Sequence, residues 1–174
     1  EEAKAEYEKV KAQQSGGGER KEYHARHILM KDEKAAKAVL AIQFASLLES
    51  LAAAPLILRH LPSAVEVMDK SILDFTRQSA ILEGLRRSFI DGDPAALLCV
   101  EFYADRAEDL PPRLEALERD LREHHLGYRY HHALDLAAQA RIWSLREAGL
   151  GLSMAMRDDA KSLSFVEDTA VAPE

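Results

Sequence analysis

The chain has little of what several large classes of proteins require. Its 174 residues include one cysteine, Cys99, so no internal disulfide and no cysteine-rich zinc or iron–sulfur site can form. Cys99 lies in the apolar sequence AALLCVEF, which favours a small buried hydrophobic residue. The longest apolar runs, such as residues 95–100, are far shorter than the roughly 18 residues that span a bilayer. Because no charged-then-apolar leader opens the sequence, we expect a soluble protein without a membrane span.

Positive charge is also scarce. The 23 Lys and Arg residues are outnumbered by 30 Asp and Glu residues, which gives a formal net charge of -7. Nucleic-acid surfaces need clustered Lys and Arg that displace counterions, so we expect no nucleic-acid partner. Hydrophobic residues make up 47% of the chain, which is enough to fill the core of one medium-sized domain.

The first 18 residues differ in composition from the rest. Residues 1–14 are rich in Glu, Lys and Ala and have few apolar anchors, which predicts a solvated helix. The sequence Ser-Gly-Gly-Gly at 15–18 is typical of a flexible linker. A domain boundary is therefore expected after residue 18.

From about residue 37, short apolar segments alternate with longer amphipathic ones. The pattern predicts strands over residues 38–44, 64–69, 95–103, 127–132 and 162–166, with a helix between each pair. The first helix is predicted to bury a stripe of Phe44, Leu47, Leu48 and Leu51 and to be interrupted by Pro55. This order favours an α+β fold with an antiparallel or mixed sheet and helices packed mainly on one face.

Two later helices have clear apolar stripes. One stripe is Leu110, Leu114, Leu117 and Leu121, and the other is Ala138, Ile142, Leu145 and Gly149. Asp109 and Asp135 are expected to cap the starts of these helices, and Gly127 is expected at the C′ position of the first one.

The second of these helices carries the residues best suited to a ligand. Arg146 follows Ile142 and Trp143 by one helical turn, so its guanidinium should leave the helix beside apolar surface. A planar five-donor cation in that position suits a carboxylate. A second cation, Lys161, follows after a Gly-containing bend. By spacing alone, ordinary surface cations are the more common interpretation of both residues.

Four histidines form two adjacent pairs, His124 with His125 and His131 with His132. Their spacing matches no compact metal-ligand pattern, so we interpret them as solvated or loosely packed and predict no metal site.

Residues 22–40, EYHARHILMKDEKAAKAVL, resemble the opening strand and first helix of the parvulin peptidyl-prolyl isomerases. The resemblance implies a role for His27 near an isomerase site, whereas a histidine on a strand face is the structural alternative. It marks residues 19–36 as a parvulin-like fragment, and a peptidyl-prolyl isomerase or chaperone fragment is the alternative function.

The rest of the chain resembles a different family. The phrases are PSAVEVMDKSILD (62–74), GDPAALLCVEFYAD (92–105), ARIWSLREAGLG (140–151) and KSLSFVEDTAVAPE (161–174). In this order and spacing, they are similar to the C-terminal, substrate-side domain of the FAD-linked oxidases. That family includes glycolate oxidase, D-lactate dehydrogenase and D-2-hydroxyglutarate dehydrogenase.

The resemblance implies oxidation of a D-2-hydroxy acid by hydride transfer to FAD, with a separate electron acceptor. It also implies that Arg146 and Lys161 bind the substrate carboxylate, and that Glu167, Asp168 and Val171 lie close to the flavin. Glu66 and Asp69 match another family phrase, but the sequence assigns them no role. The full enzyme is expected in the cytoplasm, where it could associate with the membrane surface.

Two regions of the family have no counterpart in the sequence. The FAD-binding domain precedes this one in the family, and a histidine-containing phrase follows it. We therefore expect residues 37–174 to be an incomplete oxidase domain that is inactive alone. A non-catalytic interaction module is a further alternative, because amphipathic helices would serve it equally well.

Overall fold

A central antiparallel sheet organises the part of the chain that the structure describes. The computed structural model describes residues 36–154, with side chains for residues 36–149. The strands are β1 (Ala36–Phe44), β2 (Ala64–Asp69), β3 (Ala96–Ala104) and β4 (Arg129–Ala133). The helices are α1 (Leu47–Arg59), α2 (Lys70–Thr76), α3 (Ala80–Arg87), α4 (Leu110–Glu123) and α5 (Leu136–Met154).

The strands are arranged in the order β2-β3-β1-β4, and all neighbours are antiparallel. The connections β1-α1-β2 and β3-α4-β4 each place a helix on the same face of the sheet, as in the split βαβ arrangement. The α+β class and the antiparallel sheet are therefore confirmed. The predicted N-terminal helix, Gly linker and strand at 162–166 lie outside the described residues.

The two central strands are buried at successive positions, and all but Gln43 and Glu101 of these residues are apolar. Residues 38–44 of β1 and 96–102 of β3 are buried without a break. Because neighbouring side chains of a strand point to opposite faces, such a run needs cover on both sides of the sheet. The sheet is accordingly a middle layer.

One face of the sheet is covered by α1 and α4. The predicted stripe of α4 is confirmed, because its four leucines are at most 3% exposed. This core also contains the side chains of both central strands that point to the same face: Ala38, Leu40, Ile42, Phe44, Ala96, Leu98, Val100 and Phe102.

The opposite face is covered by α2, α3 and α5. The predicted stripe of α5 is confirmed, with Ala138, Ile142 and Leu145 in the second core and Gly149 buried. The helices are thus divided between the two faces, whereas the sequence led us to expect them mainly on one. The reason is the unbroken buried and mainly apolar runs of β1 and β3, which leave neither face free for solvent.

Helix α1 corrects two predictions. Its buried side is formed by Ser50, Ala53, Leu56 and Ile57, whereas Leu47, Leu48 and Leu51 of the predicted stripe are 40%, 78% and 52% exposed. Phe44 belongs to β1 and not to the helix. Small Ser50 and Ala53 suit close packing against the sheet. The prediction was wrong because Leu47, Leu48 and Leu51 form a second apolar pattern on the other side of the helix.

Pro55 lies inside α1 and does not interrupt it. The residue is exposed, as is Leu51 four positions earlier, so the carbonyl that lacks an N–H partner is on the solvent side. The helix is also fixed at its start. The hydroxyl of Ser46 accepts from the Glu49 N–H at 3.1 Å, and the Glu49 carboxylate accepts from the Ala45 N–H at 3.2 Å.

The end of α4 differs from the prediction by two residues. His125, with φ of 56°, takes the left-handed C′ position that we expected for Gly127. The N–H of His125 donates to Arg122 O at 3.1 Å and that of Leu126 donates to Leu121 O at 2.9 Å, which is the Schellman pattern. At the start of α4, Asp109 is the N-cap residue, but its side chain makes no capping hydrogen bond.

Gly127 is needed for another reason. Its φ is +75°, and a Cβ there would lie 2.7 Å from Cγ2 of Ile42. The chain therefore enters β4 by passing directly against β1, which only glycine allows.

We expect Gly127→Ala to destabilise the fold more than Gly92→Ala. Gly92 has a φ of +68° but nothing within 4 Å of its Cβ position, so its substitution reports backbone strain alone, about 1–2 kcal/mol. The Gly127 variant adds the collision with Ile42. Urea unfolding of both variants measures the difference, and equal losses would contradict the steric argument.

A second glycine pair tests how α5 is placed. A Cβ on Gly149 of α5 would lie 3.0 Å from Cγ2 of Ile72 in α2, whereas one on Gly84 of α3 would meet nothing within 4 Å. Gly84→Ala should therefore raise the free energy of unfolding by roughly 0.5–1 kcal/mol through helix propensity.

Gly149→Ala should raise the free energy of unfolding less than Gly84→Ala does, or lower it, because Ile72 must shift to make room for the Cβ. Adding Ile72→Ala tests the contact: in that background Gly149→Ala should become more favourable. If the effect of Gly149→Ala is the same with either residue at position 72, the two helices are not held apart by this contact.

Candidate functional site

Of the residues predicted to form a site, the structure describes Arg146. The others, Lys161, Glu167, Asp168 and Val171 for the oxidase and His27 for the isomerase, lie outside the described residues. Their roles stay predictions, as does the division of residues 1–36 into a helix, a linker and a parvulin-like fragment.

Helix α5 is held at its start by side-chain hydrogen bonds. Asp135 caps the helix as predicted, because its carboxylate accepts from the Ala138 N–H at 2.8 Å. The amide of Gln139 donates to Lys37 O of β1 at 2.8 Å and to Leu134 O at 3.2 Å. These bonds fix the start of α5 over β1, and the contact at Gly149 brings its later part against α2.

Arg146 extends from α5 toward the edge strand β2. Its Nε donates to the carboxylate of Glu66, and the two side chains are 47% and 34% exposed. The prediction of apolar surroundings is partly correct, because Trp143 packs against the core beside it. What the sequence did not show is that a carboxylate 80 residues away holds the guanidinium.

The alternation of side chains along β2 indicates on which face of the sheet Glu66 lies. Val65 packs against the core under α1 and α4, whereas Met68 belongs to the core under α5. Glu66 must therefore face α5, like Met68 two positions later. The sequence could not show that α5 crosses over β2 at this height.

Cys99 lies opposite Glu66 in the ladder between β2 and β3. It is completely buried, as predicted. Burial, and secondly the negative charge of Glu66, raise the pKa of the Cys99 thiol to about 12. The thiol is therefore neutral at physiological pH and is not a nucleophile of this site.

The sheet becomes more polar toward the same end. On β3, two positions beyond Cys99, Glu101 is 8% exposed and pairs with Lys37 of β1 at 3.7 Å. Burial, and secondly Glu101, raise the pKa of Tyr103. Among the described residues, the buried Nε1 of Trp143 and Oε1 of Gln139 have no hydrogen-bond partner. The face under α5 thus changes from an apolar core to a charged margin beside Arg146.

Two surface cavities of the described part lie away from Arg146. One follows the exposed side of α4, and the other, of about 330 Å³, lies beside β4 with Arg87, Arg122 and Arg129 in its wall. Arg146 is instead on an open face. A small acid bound there would need further walls from outside the described residues.

Three of the described histidines are paired with carboxylates. Nε2 of His60 lies 2.9 Å from Asp120, Nδ1 of His124 lies 3.2 Å from Asp120, and Nε2 of His132 lies 2.5 Å from Glu118. Within residues 36–149, no three His, Cys, Asp or Glu side chains are grouped as metal ligands.

The described residues do not fit the pyrophosphate of FAD. Such a group is commonly bound at a Gly-rich turn between a strand and a helix, where backbone N–H groups can approach the phosphates. None of the strand-to-helix connections after β1, β2, β3 and β4 contains glycine.

No described helix has the length and apolar character that a bilayer crossing requires.

The pairing of Glu118 predicts a pH effect on stability. Burial alone would raise the pKa of Glu118, but hydrogen bonds from His132 and Arg122 outweigh it and hold the pKa below the usual 4.5. A lowered carboxyl pKa stabilises the fold above pH 4.5, and this contribution is lost as the pH falls through the folded pKa.

Glu118→Gln should therefore show a shallower loss of stability below pH 4.5 than the unchanged chain. Unfolding with urea at a series of pH values measures this slope. Glu115→Gln, at an exposed position on the same helix, is the control. Parallel curves for the unchanged chain and Glu118→Gln would show that the hydrogen bonds from His132 and Arg122 contribute nothing to this pH dependence.

Comparison with known proteins identifies the family. Residues 33–174 match the model of FAD linked oxidases, C-terminal domain. Similar proteins include the D-2-hydroxyglutarate dehydrogenases of Haemophilus influenzae (28% identical over 148 residues), Pantoea ananatis (30% over 146) and Escherichia coli (27% over 141).

These alignments cover 79%, 78% and 76% of the chain, but only 14% of the length of each curated relative. The match to the family model begins four residues before the boundary that we predicted at residue 37, and it extends to the last residue. The chain belongs to the family of C-terminal domains of FAD-linked oxidases.

Proposed function

We propose that the chain is part of a flavin-dependent oxidoreductase that oxidises a D-2-hydroxy acid. The substrate would be of the lactate, glycolate or 2-hydroxyglutarate type. Membership of the FAD-linked oxidase family supports the reaction class, and the names of the similar dehydrogenases favour 2-hydroxyglutarate. In this proposal the domain contributes the side of the site that binds the substrate carboxylate.

The observation that carries the proposal is the placement of Arg146. Its guanidinium is half exposed and is fixed by Glu66 at the charged margin of the sheet. A planar guanidinium can bind a carboxylate through two parallel N–H bonds, which sets the orientation of the acid as well as its position. A substrate that is held in one orientation reacts faster, because the entropy of alignment has already been lost on binding.

The remaining parts of the proposed site lie outside the described residues. Lys161 would add a second, more mobile cation for the carboxylate, and Glu167, Asp168 and Val171 would lie near the flavin. FAD would accept the hydride from the acid, and a separate acceptor would take the electrons. Since the described residues do not fit the FAD pyrophosphate, the proposal gives them carboxylate binding only.

The role of Arg146 can be tested in a full-length dehydrogenase of the family that has an arginine at the position equivalent to Arg146. Replacement by Ala should remove about 1.5–3 kcal/mol of binding to the acid, or roughly 10- to 100-fold in kcat/KM. The loss should appear mainly in KM. Steady-state kinetics with D-2-hydroxyglutarate measures both constants.

The matched control is the residue aligned with Arg119, an exposed position on α4. Its replacement by Ala should leave both constants unchanged. If the Arg146 variant also keeps its KM and kcat, the proposed carboxylate site is wrong.

A further inference from the structure

The guanidinium of Arg146 is held by one of its three nitrogens. Within the described residues, its hydrogen bond to Glu66 involves Nε, and neither terminal nitrogen has a hydrogen-bond partner. A guanidinium is planar and presents five N–H donors, so a carboxylate at Nε leaves the edge with the two terminal nitrogens available. That edge has the spacing of a carboxylate group.

Glu66 has a well-fixed backbone, so its carboxylate can hold the Arg146 guanidinium in place. It belongs to β2, which pairs with β3 from Ala64 to Asp69, and Met68 two positions later is 3% exposed in the core. Its backbone is therefore set by the ladder and by the packing of the strand. Arg146 has a long side chain with many rotamers, and it would lose this freedom on binding an acid unless it were already fixed.

We propose that Glu66 is a positioning residue for substrate binding: it fixes Arg146 through Nε and directs the two terminal nitrogens at the carboxylate of the hydroxy acid. This inference rests on the proposed function of Arg146. Glu66 itself does not touch the substrate. It lowers the entropy lost on binding, because the guanidinium is oriented before the acid arrives.

The same contact could instead act as a competitor, with Glu66 occupying the place of the substrate carboxylate. The two arrangements predict opposite changes in the affinity for the acid when Glu66 is removed. If Glu66 competes, its removal should tighten the binding of the acid. If Glu66 positions Arg146, its removal should weaken binding even though a negative charge has been taken away from an anionic ligand.

The kinetic test uses a full-length dehydrogenase of the family that has a glutamate and an arginine at the positions equivalent to Glu66 and Arg146. Glu66→Ala should raise KM for D-2-hydroxyglutarate by roughly tenfold or more, with a smaller effect on kcat. Glu66→Gln keeps a hydrogen-bond acceptor at the same distance and should recover most of the affinity lost in Glu66→Ala. Glu115→Ala, at an exposed position on α4, is the control and should leave KM unchanged.

A double variant tests whether Glu66 acts through Arg146. Arg146→Ala with Glu66→Ala should be no worse than Arg146→Ala alone, because the residue to be positioned is absent. Additive losses would show that Glu66 has a separate role and would overturn the inference.

A structural measurement on the 174-residue chain gives a readout that does not depend on activity. In ¹⁵N-labelled protein, the Nε–H signal of Arg146, assigned by its loss in Arg146→Lys, should exchange slowly with solvent. Exchange should become fast in Glu66→Ala and stay slow in Glu66→Gln. A signal that is unchanged in Glu66→Ala would overturn the inference, as would a Glu66→Ala enzyme with an equal or lower KM.

The outcomes separate the two proposals. If Arg146→Ala leaves both KM and kcat unchanged, the proposed function of this face fails and the inference fails with it. If Arg146→Ala raises KM while Glu66→Ala does not, the carboxylate site stands and only the positioning role of Glu66 is overturned.

Discussion

The architecture depends on two adjacent strands that are buried and mainly apolar on both faces. In β1 and β3 every residue from 38 to 44 and from 96 to 102 is buried. Such strands cannot lie at a surface, so helices must cover the sheet on both sides. The polar residues of the candidate site are therefore found where the sheet is not fully covered on both faces, on the edge strand β2 and toward one end of the sheet. Glu66 can be charged there without being buried, and α5 can bring Arg146 to it.

This division explains how the two faces can have different roles. The face under α1 and α4 is an apolar core whose largest side chains are fully buried. The face under α5 combines a smaller core with ion pairs at its margin, between Arg146 and Glu66 and between Lys37 and Glu101. A helix that is anchored over β1 and packed against α2 can carry a cation to a fixed position on a folded scaffold. The fold thus fixes the position of the Arg146 side chain, which would otherwise be mobile.

Sequence patterns predicted the elements with strong periodicity. The four leucines of α4 were predicted correctly because that helix has a single apolar side. The stripe of α5 was predicted correctly because Ala138, Ile142, Leu145 and Gly149 follow one another at helical spacing. Helix α1 was not, because Leu47, Leu48 and Leu51 form one apolar pattern and Ala53, Leu56 and Ile57 form another, and local sequence does not say which one meets the sheet. The contact between Glu66 and Arg146 was beyond prediction, since it joins residues 80 positions apart through the crossing of α5 over β2.

The burial of Cys99 makes the central sheet observable. The thiol lies in β3 between two paired strands and is fully buried and neutral, so a thiol reagent cannot reach it while the sheet is intact. Because the chain has no other cysteine, every labelling event reports one opening of this sheet. The rate of labelling, when labelling of the open state is faster than reclosing, would therefore measure how often the scaffold opens under native conditions, without an introduced cysteine.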